Sequence, residues 1–278
     1  MKLFSQKNIR DLIKRYGIRP SKKLGQNFLI DGIKIKEFIK AASLQPDDIV
    51  LEVGPGVGSL TQGIAEKSKR VIAVEKSLAM CKILKEMLAS FKNVQIVNKD
   101  ILKFPVPKFD YKIAANLPFY LTAPLIRKFL ENENPPKEMI LVVQKEVAQR
   151  ICSSPPKMSI LAVSVQFYAK PEIIFYISKN SFWPSPKVDC AVVKIIPDKT
   201  KFLPLVQSRE CFFEIVKMGF SQPRKQLVNN FSKGLKTDKE KIRAWLIKND
   251  VQPDRRAETL TIGEWIKLSK ACGLLLAN

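Results

Sequence analysis

Histidine does not occur anywhere in the 278 residues. Its absence removes Ser-His-Asp and Cys-His nucleophilic catalysis, imidazole general bases and histidine metal ligands from the available chemistry. Cysteine is scarce and scattered. Cys81, Cys152, Cys190, Cys211 and Cys272 are an odd number with no CxxC pair, which fits isolated thiols in a reducing compartment and no disulfide framework, zinc ribbon or other metal site. No apolar run approaches the roughly 18 residues of a membrane span. The basic N-terminal stretch MKLFSQKNIRDLIKRYGIRPSKK lacks the continuous apolar segment of a secretory signal, so the expected location is the cytoplasm. Acidic residues are outnumbered, 26 Asp and Glu against 48 Lys and Arg, leaving a net charge of +22. An excess of that size usually faces a polyanion, the alternative being a lysine-rich background composition, and it runs through the whole chain.

What is present reads as a globular protein, 46% hydrophobic and 9% aromatic, long enough for one sizeable core and a smaller second unit. Helical spacing in GIKIKEFIKAASL, LTQGIAEKS, LAMCKILKEMLASF and TAPLIRKFLE alternates with strand-like PDDIVLEVG, RVIAVEK, NVQIVNKD, YKIAANLP and EMILVVQKE. Alternation of this kind, with apolar β-branched strands, predicts a mostly parallel sheet covered on both faces. LAVSVQFYA and AVVKIIP also read as strands. From about Lys199 the texture becomes purely helical, in RECFFEIVKMGF, RKQLVNNFSKGL, DKEKIRAWLIKN and TIGEWIKLSKACGLLL. The expected division is an α/β domain over residues 1–198 and a smaller α-helical domain over residues 199–278.

The chemistry gathers at strand ends. In LEVGPGVGSLT a buried strand stops at Val53, and Gly54, Gly56 and Gly58 lead into a helix. Glycines there let a ligand approach the main chain. Ser59 follows Gly58, so the pattern is GxGxG. That spacing favours adenosine and methionine moieties beside the loop over the pyrophosphate that a GxGxxG fingerprint serves. Glu75 closes the second strand, where a carboxylate can accept from both hydroxyls of a ribose; the competing reading is a solvated glutamate at a helix start. Asp100 follows the third strand, where it can accept from the exocyclic amine of an adenine with Ile101 packed on the ring, or simply cap a helix. Three such groups on consecutive strand ends mark a nucleoside-cofactor pocket, because open α/β sheets bind ligands at that edge.

The fourth strand ends in NLPFY, residues 116–120. Asn116 can accept a hydrogen bond from an amine, and Phe119 or Tyr120 can stack on a planar base. An exocyclic base amine is a poor nucleophile because its lone pair is delocalised into the ring. Accepting its hydrogens at Asn116 and at the Leu117 carbonyl favours a pyramidal nitrogen able to attack a sulfonium methyl. Positioning and aimed dipoles then carry the reaction, in keeping with the lack of histidine. The competing reading is a proline turn whose aromatics cap the core.

Taken together, these motifs resemble the KsgA-type small-subunit ribosomal RNA adenine N6,N6-dimethyltransferases. KKLGQNFL (22–29), EVGPGVGSLT, NLPFY, VQKEVAQRI (143–151), FWPSPKVDCAVV (182–193), GFSQPRKQLVNN (219–230) and RAETLT (256–261) follow the family's order over nearly the whole chain. The resemblance implies a Rossmann-like class I methyltransferase sheet with a smaller C-terminal helical domain. It also implies S-adenosylmethionine as methyl donor with no metal, and as substrate two adjacent adenines in a 3′-terminal hairpin of small-subunit (16S) rRNA, in an assembling subunit. A monomer is expected. By resemblance the cofactor contacts fall on Asn27, Leu29, Gly54, Glu75, Asp100 and Asn116, the catalytic groups are Asn116, Leu117 and Phe119, and Phe119 and Phe182 sandwich the flipped adenine. Arg224 and Lys225 stand beside a helix start where they can meet RNA phosphates, their alternative being a solvated basic face. The sequence departs from the family in KMSIL, where Tyr-Gly is usual before LAVSVQFYA, which puts the local turn in question.

Two related activities and one unrelated one compete with this reading. A macrolide-resistance methyltransferase acting on large-subunit rRNA is disfavoured by KKLGQNFL and GFSQPRKQLVNN. A non-catalytic nucleic-acid-binding relative is disfavoured by intact Glu75, Asp100 and NLPF. A nicotinamide dehydrogenase is disfavoured by Ser59, which stands where a third fingerprint glycine belongs.

Overall fold

Val, Ile and Leu dominate the buried strands, as a sheet covered on both faces requires. The computed structural model describes residues 6–18, 20, 25–198, 200, 205–206 and 208–276. The first three residues of KKLGQNFL, Lys22 to Leu24, therefore lie outside the described residues, as does the side chain of Cys272. The chain forms two compact units, residues 1–148 with 171–197 and residues 149–170 with 198–278.

The first unit holds a seven-stranded sheet. Its parallel part comprises β2 (Ile49–Val53), β3 (Arg70–Glu75), β4 (Val94–Asn98), β5 (Lys112–Asn116) and β6 (Met139–Gln144). With β7 (Ala169–Ile177) and β9 (Cys190–Pro197) the order is β4-β3-β2-β5-β6-β9-β7. β2 pairs in parallel with both β3 and β5, whereas β9 runs antiparallel to β6. The strand order reverses between β2 and β5, which makes their C-terminal ends the topological switch point. Helices α2 (Gly32–Ala41), α3 (Ser59–Ala65), α4 (Leu78–Met87) and α5 (Thr122–Leu130) follow the helical spacings of the sequence. Side-chain caps fix two of these starts: Asp31 accepts from Ile33 N and Lys34 N, and Ser77 accepts from Met80 N.

Two elements near the N-terminus have no forerunner in the sequence reading. Helix α1 (Gln6–Arg15) buries Ile9, Leu12 and Ile13 in a cluster with Phe28, Val57, Met80 and Ile83. The short strand β1 (Phe28–Leu29) pairs antiparallel with β8 (Phe182–Trp183), setting Phe28 opposite Trp183 and Leu29 opposite Phe182.

One element corrects the sequence reading. LAVSVQFYA is not a strand, because Ile160–Gln166 is helix α7. Ser159 supplies the start, its hydroxyl accepting from Ala162 N at 3.1 Å, while Ala162, Val163 and Val165 are buried. Its β-branched residues suggest a strand, but cap and burial decide for helix. The strand begins only at Ala169. A short helix, α6 (Lys145–Ile151), covers VQKEVAQRI from Lys145 on.

The second unit is helical among its described residues outside the start of β7. Helices α8 (Arg209–Gly219), α9 (Leu227–Leu235), α10 (Lys239–Lys248) and α11 (Ile262–Leu276) enclose an aromatic core. Phe167 stacks on Phe212 with ring centres 4.3 Å apart, and Phe231 meets both Trp245 and Trp265. A Cβ at Gly219 would lie 2.3 Å from the Trp265 ring, so the glycine of GFSQPRKQL serves packing.

Candidate active site

The cleft at the switch point is built from five chain segments of the first unit, residues 25–29, 52–60, 74–76, 99–101 and 116–121. Its lining includes Asn27, Leu29, Gly54, Glu75, Asp100 and Asn116. All six positions expected to touch a cofactor therefore meet in one place, although they span 90 positions of sequence.

The glycine loop adopts backbone angles that side chains resist. Gly54, Gly56 and Gly58 have φ of 66°, 59° and 87°. At Gly56 a Cβ would also sit 2.9 Å from Phe28, a distance real side chains do not reach. Beside this loop Glu75 ends β3, 7% exposed. It accepts from Ser77 N at 2.7 Å and Gly56 N at 3.2 Å, which ties the β3 carboxylate to the loop. Burial pushes its carboxyl above the ordinary range, against the lowering by these backbone donors.

Glu52, within β2, was not anticipated as a site residue. It lines the cleft and is 1% exposed, its Oε2 has no hydrogen-bond partner, and the hydroxyl of Ser59 in the same lining has none either. Burial, with the nearby Glu75 charge adding to it, pushes the Glu52 carboxyl up to about 8. The signal available in the sequence is an acid inside the otherwise apolar run IVLEV. Asp100 takes the capping role considered for it and adds an ion pair. Its Oδ1 caps the turn Ile101–Lys103 by accepting from Leu102 N at 3.0 Å, and its Oδ2 pairs with Lys76 Nζ at 2.8 Å. The Lys76 partner is the chief reason its carboxyl sits below the usual range.

The NLPFY loop is held by the N-terminal motif. A Cβ at Gly25 would lie 3.0 Å from Pro118 Cβ, and its φ is 62°. Only glycine lets residues 25–27 lie this close on the proline with that backbone. The approach brings the Asn27 carbonyl to Asn116, whose Nδ2 donates to it at 2.8 Å. The amide nitrogen is thereby committed, and the carbonyl oxygen Oδ1 is left as the acceptor. Asp31 carries the other end of this segment, receiving the Ser181 hydroxyl at 2.9 Å, while Ile30 N donates to Ser181 O at 2.9 Å.

Leu117 is buried and donates its N–H to Val142 O at 3.2 Å. Phe119 and Phe182 belong to one apolar cluster, Phe119 partly buried and Phe182 3% exposed. Neither lines the cleft. Tyr120 does, and it is half exposed. In the second unit Arg224 and Lys225 are exposed in the turn just before α9. Among the described residues no group of three or more His, Cys, Asp or Glu side chains is placed to hold a metal, and no helix is long and apolar enough to cross a membrane.

Carboxyls facing a glycine loop make a cleft suited to a cationic, hydroxyl-bearing ligand. The unpartnered Glu52 Oε2 and Ser59 Oγ fit the ammonium and polar groups of S-adenosylmethionine, and Glu75 fits its ribose. Strand order and cleft position are those of a Rossmann-like class I methyltransferase. The family model for ribosomal RNA adenine dimethylase matches residues 18–272. A ribosomal RNA small subunit methyltransferase A from Alkaliphilus metalliredigens is 39% identical over 283 residues, covering 97% of each chain. The crystal structure of a dimethyladenosine transferase from Plasmodium falciparum superposes with a TM-score of 0.76 at 26% identity, over 89% of this chain and 98% of that one. The 23S rRNA methyltransferase ErmE shares the fold, with a TM-score of 0.72 at 24% identity over 91% of this chain and all of that one. The chain belongs to the ribosomal RNA adenine dimethylase family, as its motifs led us to expect.

Proposed function

We propose that the protein transfers methyl groups from S-adenosylmethionine to N6 of two adjacent adenines in a 3′-terminal hairpin of small-subunit rRNA, dimethylating each during ribosome assembly. The observation that carries this reading is the Asn116 amide. With Nδ2 donating to the Asn27 carbonyl, Oδ1 is the end that can accept an amine hydrogen.

The cofactor supplies an electrophilic methyl on a sulfonium. Glu75 would hold the ribose hydroxyls, Asp100 the adenine amine, Gly54 the close approach of the main chain, and Asn27 and Leu29 the wall beside Asn116. Asn116 Oδ1 and the Leu117 carbonyl would accept the N6 hydrogens of the target base, so that the nitrogen lone pair turns from the ring toward the methyl. With the bound cofactor's methyl as electrophile, that pair would form the new N–C bond while the S–C pair remained with the departing thioether, and the then cationic nitrogen would lose a proton to water. Phe119 presents the more accessible ring for stacking. Phe182 would contribute the second face once the cluster parts, at a cost that stacking offsets. Residues 1–198 would act as the catalytic domain and residues 199–278 as the RNA-binding domain, with Arg224 and Lys225 on phosphates. The protein would act as a cytoplasmic monomer.

The test is transfer of labelled methyl from S-adenosylmethionine to purified small-subunit and large-subunit particles in parallel. Label in small-subunit RNA is expected. Label confined to large-subunit RNA would instead support the macrolide-resistance activity.

A further inference from the structure

Helix α1 presents two faces. Ile9, Leu12 and Ile13 pack inward, whereas Lys7, Arg10 and Lys14 are exposed. With Ile18 and the indole of Trp183 these three cations line an open groove outside the cofactor cleft. The Arg10 guanidinium lies 6.0 Å from the centre of the Trp183 ring. Asp11 is the only carboxylate in the lining, and no ion pair joins Lys7, Arg10 or Lys14 to an acid among the described residues. By contrast Arg15, next along the helix, is neutralised by Glu86 at 3.0 Å.

We propose that this groove binds the single-stranded RNA flanking the methylated adenines, with Lys7, Arg10 and Lys14 on phosphates and a neighbouring base against Trp183. The proposal rests on the rRNA methyltransferase reading above. Three uncompensated cations spaced along one helix face track a polyanion backbone, and an aromatic ring set among them is the combination that holds single strands without sequence preference. Continuity with the cleft supports the location. Trp183 is paired with Phe28 through β1 and β8, Phe28 lines the cofactor cleft, and the next residue back, Phe182, is a ring assigned to the target base. A strand whose adenine enters the pocket would thus reach the groove within a few nucleotides. Trp183 is also the one tryptophan left partly accessible, since Trp245 and Trp265 are 6% and 0% exposed.

The test compares the full-length protein with a Lys7→Gln, Arg10→Gln, Lys14→Gln triple variant for binding of a small-subunit rRNA fragment containing the target adenines. Affinity for the RNA should fall about tenfold or more at physiological salt, and the salt slope should become shallower by roughly 2, three phosphate contacts at about 0.7 each. Melting temperature and S-adenosylmethionine affinity should not change. A Lys7→Arg, Lys14→Arg variant should bind like the parent. RNA should quench tryptophan emission in the parent and not in Trp183→Phe. Unchanged affinity and salt slope in the triple variant would overturn the groove while leaving the methyltransferase intact. A parent protein that methylates neither ribosomal RNA would sink the functional reading and the groove with it.

Discussion

At the scale of single residues, the cleft positions Gly54, Glu75, Asp100 and Asn116 were legible because each stands at or just past the end of a strand, and strand ends follow local apolar patterning, whereas Asn27 and Leu29 came only from the family resemblance. Glu75 illustrates it: RVIAVE is apolar up to the acid, and the acid is where the sheet edge opens. Glu75→Ala should weaken S-adenosylmethionine binding by more than about 1.5 kcal/mol, the scale of a hydrogen bond to a charged group. Unchanged affinity by calorimetry, in a variant that melts like the parent, would reject the ribose assignment. Glu52 shows in the sequence only as an acid inside the apolar run IVLEV, and nothing local says whether such an acid is buried in a cleft or faces solvent at a strand edge. Its pKa leads to a second prediction. The folded protein holds the Glu52 proton up to about pH 8, against an ordinary value of 4.5, so it binds that proton more tightly than the unfolded chain does. The stability this contributes is complete below about pH 4.5 and is lost as pH rises toward 8, by at most about 1.4 kcal/mol per pH unit. Glu52→Gln, neutral throughout, should therefore gain stability relative to the parent between pH 5 and 8 in ligand-free denaturation. Parallel pH profiles would show that Glu52 is ionised in the folded protein.

At the scale of elements, local pattern served where period and caps agree and failed where distant partners decide. Helices α2, α4, α5 and α8 to α11 follow their spacing. Helix α7 does not announce itself, since Val and Ile favour strands until Ser159 caps the turn and the core takes Val163 and Val165. The β1–β8 pair joins residues about 150 positions apart, and no window of sequence contains both. Yet that pair places Phe28 against the glycine loop and Trp183 under α1. The glycine loop can be tested as an element through Gly56. Ala at this position combines a left-handed φ with a Cβ 2.9 Å from Phe28. Gly56→Ala should cost roughly 1–3 kcal/mol, the scale of local backbone strain, and should weaken S-adenosylmethionine binding while leaving RNA binding intact. An unchanged melting temperature and cofactor affinity would mean the loop is looser than its geometry implies.

For the whole molecule, the charge of +22 and the lack of histidine were the most informative features of composition. The charge pointed to a polyanion, and the missing imidazole pointed to chemistry run by position and dipoles. What composition could not convey is that a basic protein carries a cleft with three carboxyls, Glu52, Glu75 and Asp100, in its lining. Lys76 and Lys99 share that lining, and Lys76 is paired with Asp100, which leaves Glu52 and Glu75 as the acids without a lysine partner there. On the proposed function, Asn116, oriented by the Asn27 carbonyl, would be the acceptor that makes the adenine amine nucleophilic. The most direct measurement is nucleoside mass spectrometry of small-subunit RNA after single-turnover reaction with the parent and with Asn116→Ala, at saturating S-adenosylmethionine. The parent should yield N6,N6-dimethyladenosine, and the folded variant should form it roughly 100-fold more slowly or worse, the scale of losing one aimed polar group. Dimethyladenosine appearing at near-parental rate in the variant, or not at all with the parent, would contradict the account.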